Sequence, residues 1–385
     1  MNAAGETDPG GQPVNTEAPG VVLSDAPPTI AEVQAAMERY LDGRGAGLRV
    51  IECERISGGF ETFIYGIRVE RFDGEGPPPT LLPAGERLIL RIYRGPGVVE
   101  RSTWEARIIE RVRDEGVPVP PVYLYEPNPA PLGGPFLVLG LVAGTRMDQA
   151  AFGAGPIAVV RMIRNFARAQ AAIYKIEWPE GRSLVPATEN TELGPLAWAP
   201  QRLAGARREL ESRNLKQLLP VVDWLEANRP SIEAGEQVLI HGDFHALNMF
   251  VEGAQISGII DWGSGGFANK HEDIGWTSML IATASSADRK EDRKLAPFRT
   301  VARRVYLGCL WEACRLNRKQ LRYGEVYAGL RWMMVFLPTF LHDAGPPFLN
   351  SDAVAFTTPL YVKRVRRFIE KRTKLKLQIE QSLSP

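Results

Sequence analysis

The chain has 385 residues, is 44% hydrophobic and 24% charged, and carries a formal net charge of +1, which gives enough apolar material for a sizeable core in one two-lobed unit or two ordinary domains. No apolar run approaches the length of a membrane span, the first residues lack the apolar stretch of a signal peptide, and three cysteines without a C-x-x-C spacing point to a reduced, cytoplasmic protein. Residues 274–385 hold 20 Lys+Arg against 9 Asp+Glu, but no nucleic-acid motif accompanies them. They read as a solvated helical surface, with no nucleic acid and no membrane as partner.

Residues 1–28 are polar and rich in Gly and Pro and read as a disordered tail. Order is expected from Thr29, where Thr29-x-x-Glu32 makes a capping box before Val33, Met37, Tyr40 and Leu41. Residues 55–69 read as strand, tight turn at Ser57-Gly58-Gly59, and strand. A Pro/Gly-rich loop is expected over 72–86, then an apolar strand over 87–94 with Arg91 inside it. Trp104, Ile108, Ile109 and Val112 recur at helical spacing and predict an amphipathic helix over 101–115. In it Glu105 and Glu110 lie about 140° apart around the axis, so both cannot face one site. Gly116-Val117-Pro118-Val119-Pro120-Pro121 ends that helix, and residues 136–144 read as the last strand of the first half.

The remainder reads as mostly helical. Pro156 is placed to open a helix with Val160, Ile163, Phe166 and Ile173 on its apolar face. One or two helices are expected over 203–230, more over 274–342, and a surface-docked helix over 361–377. Between them, residues 238–240, 249–251 and 256–260 form short strand-like runs, the last two joined by a turn at 252–255.

These runs frame His241-Gly242-Asp243-Phe244-His245-Ala246-Leu247-Asn248 and, thirteen residues on, Asp261-Trp262-Gly263. An Asp five residues before an Asn, followed by a second Asp near a Gly, is the spacing of a phosphoryl-transfer site. The first Asp accepts the proton of the attacking hydroxyl, and the Asn and second Asp hold magnesium against nucleotide phosphates. The hairpin over 249–260 should return the chain so that Asp261 lies beside Asn248.

The stretch resembles the aminoglycoside phosphotransferase (APH) family, which has a protein-kinase-like fold and typically reads H-G-D-x-x-x-x-N, then I-D-W or I-D-F, then a further Asp, here Asp273. The resemblance implies an α+β, bilobal protein-kinase-like fold, with a small antiparallel-sheet lobe over 29–143 and a mostly helical lobe over 144–385. It implies Asp243 as the catalytic base and Asn248 and Asp261 as ligands of Mg2+. Asp273 would brace the catalytic loop from a helix start. The phosphates of ATP or GTP would lie under Ser57, Gly58 and Gly59 and against Arg91, which stands where a kinase has Lys and would be supported by Glu105. Adenine would meet main-chain groups near Gly140 to Val142.

The acceptor is expected to be a hydroxyl of a small antibiotic-like or metabolite molecule, taken by a monomer or homodimer. A bulky, largely apolar acceptor is favoured by the basic C-terminal region and by the run Trp332-Met333-Met334-Val335-Phe336-Leu337, with Glu312, Glu325 and Asp343 as the local acids that would favour a polycation instead. Gly242, where most protein kinases have Arg, and the short gap from Asp261 to Asp273 argue against a protein kinase. A catalytically silent nucleotide-binding scaffold is the other alternative. For His245 and His271 a bracing or capping role is expected.

Overall fold

The structure, a computed structural model, describes residues 27–56, 62–71, 81–95, 97–178, 200–229, 237–285, 289–341 and 358–379. The expected phosphate turn at Ser57-Gly58-Gly59, nearly all of the expected tail, most of the loop after residue 71, and Asp343 lie outside them.

The first lobe is built on a five-stranded antiparallel sheet. Thr29 caps α1 (Ile30–Gly43) through the expected box with Glu32, and Val33, Met37 and Leu41 of that helix are buried. Strands β1 (Leu48–Ile56), β2 (Thr62–Arg71) and β3 (Arg87–Tyr93) follow, then α2 (Val98–Asp114), β4 (Val122–Glu126) and β5 (Phe136–Gly140). The spatial order is β1-β2-β3-β5-β4. β3 is therefore an inner strand, pairing Arg91 with Ile64 on one side and Leu137 on the other. One face of the sheet packs on α1 to form a core with Tyr65, Ile67, Leu88, Leu90 and Val138. α2 begins three residues before the predicted start, because Gly97 takes φ 64° at its N-terminus and its carbonyl accepts the Arg101 N–H.

The second lobe is mostly helical around two small sheets. β6 (Thr145–Arg146) and α3 (Met147–Gly153) lead to α4 (Pro156–Ile173), which buries Val159, Ile163, Phe166 and Ile173. The apolar face thus takes Val159 where Val160 was expected. Helices α5 (Pro200–Ser212) and α6 (Leu219–Ala227) precede four short strands: β7 (Gln237–Ile240), the hairpin β8 (Met249–Glu252) and β9 (Gln255–Ile259), and β10 (Gly266–Asn269). β7 pairs with β10, and β8 lies between β6 and β9. Then come α7 (Lys270–Thr283), α8 (Arg289–Cys314), α9 (Arg318–Phe336), the short α10 (Pro338–Leu341) and α11 (Pro359–Thr373).

Helices α7 and α9 cross closely. A Cβ on Gly275 would lie 2.4 Å from the Gly324 carbonyl carbon, and one on Gly324 would lie 2.1 Å from the His271 carbonyl oxygen. Only glycine permits that approach. Trp332, Met333 and Met334 are 1%, 0% and 1% exposed and belong to a core with Leu225, Met279, Tyr361 and Val365. This corrects the expectation that the run lines an acceptor pocket: its aromatic and thioether groups are consumed in packing α9 against α6, α7 and α11. No described helix is long and apolar enough to cross a membrane.

Candidate active site

The His241–Asn248 segment is a tight loop between β7 and β8, held from three sides. His241 is fully buried. Its Nε2 donates to the Ile260 carbonyl at 3.0 Å and its Nδ1 accepts the Asp243 amide at 3.2 Å. Burial holds the imidazole below its usual pKa, against the pull of Asp273 and Asp243, which suits this neutral tautomer. Gly242 follows at φ 78°, where a Cβ would lie 2.0 Å from the Ser264 carbonyl oxygen. No side chain, Arg included, fits at that position with this backbone.

α7 grips the loop along one stripe. Asp273 Oδ1 accepts the Gly242 amide at 2.9 Å, and Thr277 Oγ1 donates to the Phe244 carbonyl at 2.6 Å. Between them on the helix, Trp276 Nε1 donates to Asp243 Oδ1 at 2.8 Å. Asp273 is itself fixed by Gln170 and Tyr174 of the second lobe, at 2.9 and 3.0 Å on Oδ2. The bracing role implied for Asp273 therefore matches its contacts. His271 does not cap α7. Asn269 caps it, and His271 accepts the Asn317 amide at 2.8 Å, tying α7 to the start of α9.

Asp243 is partly exposed. Its Oδ2 has only long contacts, 3.3 Å to His245 Nε2 and 3.4 Å to Asn248 Nδ2. Burial works against its charge, yet His245 and Arg331 outweigh burial and hold the carboxyl far below the usual carboxylate range. Asp243 is thus an ionised acceptor, with one oxygen firmly bonded and the other loosely.

Asn248 Nδ2 also donates to the Asp243 carbonyl at 3.0 Å, which commits its N–H groups to the loop. The Ile260 amide donates to the Asn248 carbonyl at 3.0 Å, so the hairpin does bring the Asp261 backbone next to Asn248. Asp261 adopts φ 66°, ψ 66°, a left-handed conformation that Asp tolerates better than most residues. Among the described residues no three His, Cys, Asp or Glu side chains form a metal cluster. One amide oxygen and one carboxylate remain a donor set that fits a hard cation whose other ligands come from phosphate and water.

The first lobe delivers a cation to the same place. Arg91 NH1 bonds Glu105 Oε1 at 2.7 Å, and NH2 bonds Asp261 Oδ1 at 3.0 Å. Arg91 lies on an inner strand, with its side chain 11% exposed. Glu105 is 0% exposed and also accepts the Tyr93 hydroxyl at 2.7 Å. Burial pushes the Glu105 carboxyl up, against the pull of Arg91. Glu110 points away and is exposed, as its angular offset required. α2 is fixed against the Asp261 segment by Trp104 Nε1, which donates to the Gly265 carbonyl at 2.8 Å. At the expected hinge, the Gly140 amide already donates to the Pro121 carbonyl at 2.9 Å, so that N–H is not free for a base. Val142 packs over Gly258, where a Cβ would lie 2.1 Å from its Cγ1.

Of the acids considered for an acceptor pocket, Glu325 is buried and bonded to Arg303, Arg372 and Ser278, each at 2.5 Å, while Glu312 is exposed on α8. Trp276, Arg331, Tyr93 and Trp104 are the site residues that motif reading missed. Trp276 was within reach of it, three residues after Asp273 on a predicted helix.

A family model described as the phosphotransferase enzyme family (APH) matches residues 81–306. No curated protein sequence matches the chain. Among solved structures it is similar to a candidate aminoglycoside phosphotransferase of Ralstonia eutropha, with TM-score 0.59 and 15% identity over 88% of this chain and 98% of that one. It is similar to spectinomycin phosphotransferase in complex with ADP and spectinomycin, with TM-score 0.55 and 15% identity over 89% and 98%. A third likeness is to amicoumacin kinase in complex with AMP-PNP, Ca2+ and Ami, with TM-score 0.53 and 16% identity over 92% and 99%. At such identities the likeness is one of fold, a bilobal kinase-like architecture. The family match spans more than half of the sequence, and on that ground the chain belongs to the APH phosphotransferase family.

Proposed function

We propose that the protein is a small-molecule kinase that transfers the γ-phosphoryl group of ATP or GTP to a hydroxyl of an antibiotic-like or metabolite acceptor. The observation that carries this reading is the meeting of Arg91 with both Glu105 and Asp261, beside the Asp243–Asn248 loop. The acceptor oxygen bonds to the γ-phosphorus as the bond to the bridging oxygen breaks, the hydroxyl proton passes to Asp243, and the nucleoside diphosphate leaves. Arg91, kept in place by Glu105, offers a permanent charge and a planar fork to phosphate oxygens. Asn248 and Asp261 would hold magnesium, which when bound neutralises phosphate charge. The remainder of the catalytic advantage comes from fixing the acceptor and excluding misaligned attack. Residues 29–143 serve as the nucleotide-binding lobe and residues 144–385 carry the catalytic loop and the acceptor site.

Two observations favour a small acceptor over a protein. The chain between Asp261 and Asp273 is a single turn at Trp262–Ser264, β10 and the first turn of α7, which leaves no room for an activation segment. Gly242 admits no side chain to meet a phosphorylated loop. The solved neighbours that hold spectinomycin with ADP, or Ami with AMP-PNP, lend support to the substrate class. The test is ADP release by the purified protein as hydroxylated compounds are added singly, with magnesium and with a chelator. Acceptor-stimulated, magnesium-dependent release is the expected result. A protein that binds nucleotide without ever consuming it is the silent scaffold.

A further inference from the structure

The indole of Trp276 lies between the catalytic loop and α9. Its Nε1 donates to Asp243 Oδ1 at 2.8 Å, and the Arg331 guanidinium sits 4.5 Å from its ring centroid. Arg331 also donates to the Gly242 carbonyl at 2.9 Å, so it clamps the ring and the loop together. The close crossing at Gly275 and Gly324 sets this up. Gly275 directly precedes Trp276, and Arg331 lies two turns beyond Gly324 on the same face of α9. A side chain at either glycine would meet the backbone of the facing helix at that crossing.

We propose that Trp276 is a positioning residue for the base: it fixes one oxygen of Asp243 so that Oδ2 meets the acceptor hydroxyl, with Arg331 holding the indole in place. This rests on the kinase reading. The long contacts of Oδ2, 3.3 and 3.4 Å, leave that oxygen to exchange them for one short bond to a hydroxyl. With Oδ1 held by a rigid ring, the carboxylate keeps one rotamer as substrates come and go. Trp is suited to this because its indole has a single donor and no acceptor, and the stacked cation limits its rotation. The α7 stripe then has a single logic, with Asp273, Trp276 and Thr277 holding the Gly242 amide, the Asp243 carboxylate and the Phe244 carbonyl in turn.

The experiment uses magnesium ATP with water as the phosphoryl acceptor, so no acceptor need be known. Trp276→Phe keeps a six-membered ring for Arg331 and removes the N–H together with part of the indole's bulk, so the double variant and the indole resonance separate the hydrogen bond from packing. Trp276→Phe should lower kcat by roughly 10- to 100-fold, the scale of a hydrogen bond to a charged group, with the KM for ATP unchanged. In an Asp243→Asn background the same change should cost nothing further, because Trp276 acts through that side chain. Independently, the Trp276 indole 1H–15N resonance should move upfield in Asp243→Asn. Wild-type kcat for Trp276→Phe, losses that multiply in the double variant, or an unmoved indole resonance each overturns the proposal alone. Absence of magnesium-dependent turnover in the wild-type protein with every acceptor tried, and not with water alone, overturns the kinase reading, and this assignment with it.

Discussion

Arg91 and Asp261, 170 positions apart in the chain, share a hydrogen bond of 3.0 Å that joins the inner strand of the first lobe to the turn after the β8–β9 hairpin. The same guanidinium bonds Glu105 at 2.7 Å. One side chain therefore links the sheet, α2 and the second lobe, and under the proposed function it also meets the nucleotide phosphates.

Removing Arg91 strands a carboxylate that is 0% exposed. Arg91→Ala should destabilise the protein by about 3–5 kcal/mol, the usual cost of leaving a buried charge without its partner. Arg91→Lys should recover part of that and part of the turnover. Urea unfolding midpoints with ATP kinetics measure both; an Arg91→Ala protein with wild-type midpoint and KM contradicts the bridging role.

Asp243→Asn should leave ATP affinity near normal and lower turnover by about 10²–10⁴-fold, the share of a positioned base. Of the groups that the side chain touches, Trp276, His245 and Asn248, Asn248 alone takes part in nucleotide binding in this account, through magnesium, and its contact is long at 3.4 Å. A correctly folded Asp243→Asn protein with normal turnover removes it from the mechanism.

Asp261→Ala should abolish the magnesium dependence of ATP binding, since a hard cation loses its carboxylate. Calorimetric titration of ATP with and without magnesium reads this directly. Unchanged affinity and unchanged metal response count against the assignment.

His271 gives the fold a pH dependence of its own. Burial, with Lys270 nearby, holds its imidazole down at about 4, against about 6.5 in an unfolded chain. As pH falls from 6.5 to 4 the unfolded chain gains a proton that the folded one refuses, so stability present at neutral pH is lost in that window, by up to about 3 kcal/mol. The difference in unfolding free energy between wild type and His271→Gln should shrink from pH 7.5 to pH 4.5. A constant difference means that the Asn317–His271 bond does not depend on the neutral ring.

Much of this site could be read from local pattern. The Asp243–Asn248–Asp261 spacing and the hairpin that joins them need only strand periodicity and the spacing of a phosphoryl-transfer site, whereas a helix of 3.6 residues per turn says only that Glu105 and Glu110 cannot both face the site, and the choice of Glu105 rests on the family resemblance. Trp276 could be placed on the loop-facing stripe by its spacing from Asp273, but Arg331 was not legible, because its role depends on how closely α7 and α9 cross. That distance is set by Gly275 and Gly324, two helix-interior glycines that look like weak points in a linear reading. The Trp332–Met334 run misled for a related reason: an apolar cluster does not reveal whether a helix or a ligand will cover it. Of the main-chain groups near Gly140 to Val142, the Gly140 amide is already bonded to Pro121, a pairing between strands that no local pattern announces.

The central claim is phosphoryl transfer to a small-molecule hydroxyl. Its most direct test is mass spectrometry of a mixed panel of antibiotics, sugars and amino alcohols incubated with magnesium ATP and the protein. The account predicts that a panel member gains about 80 Da, one HPO₃, with wild-type protein and not with Asp243→Asn or in the presence of a chelator. Label from the γ-phosphate that appears only on protein side chains, with no panel member gaining mass, contradicts it.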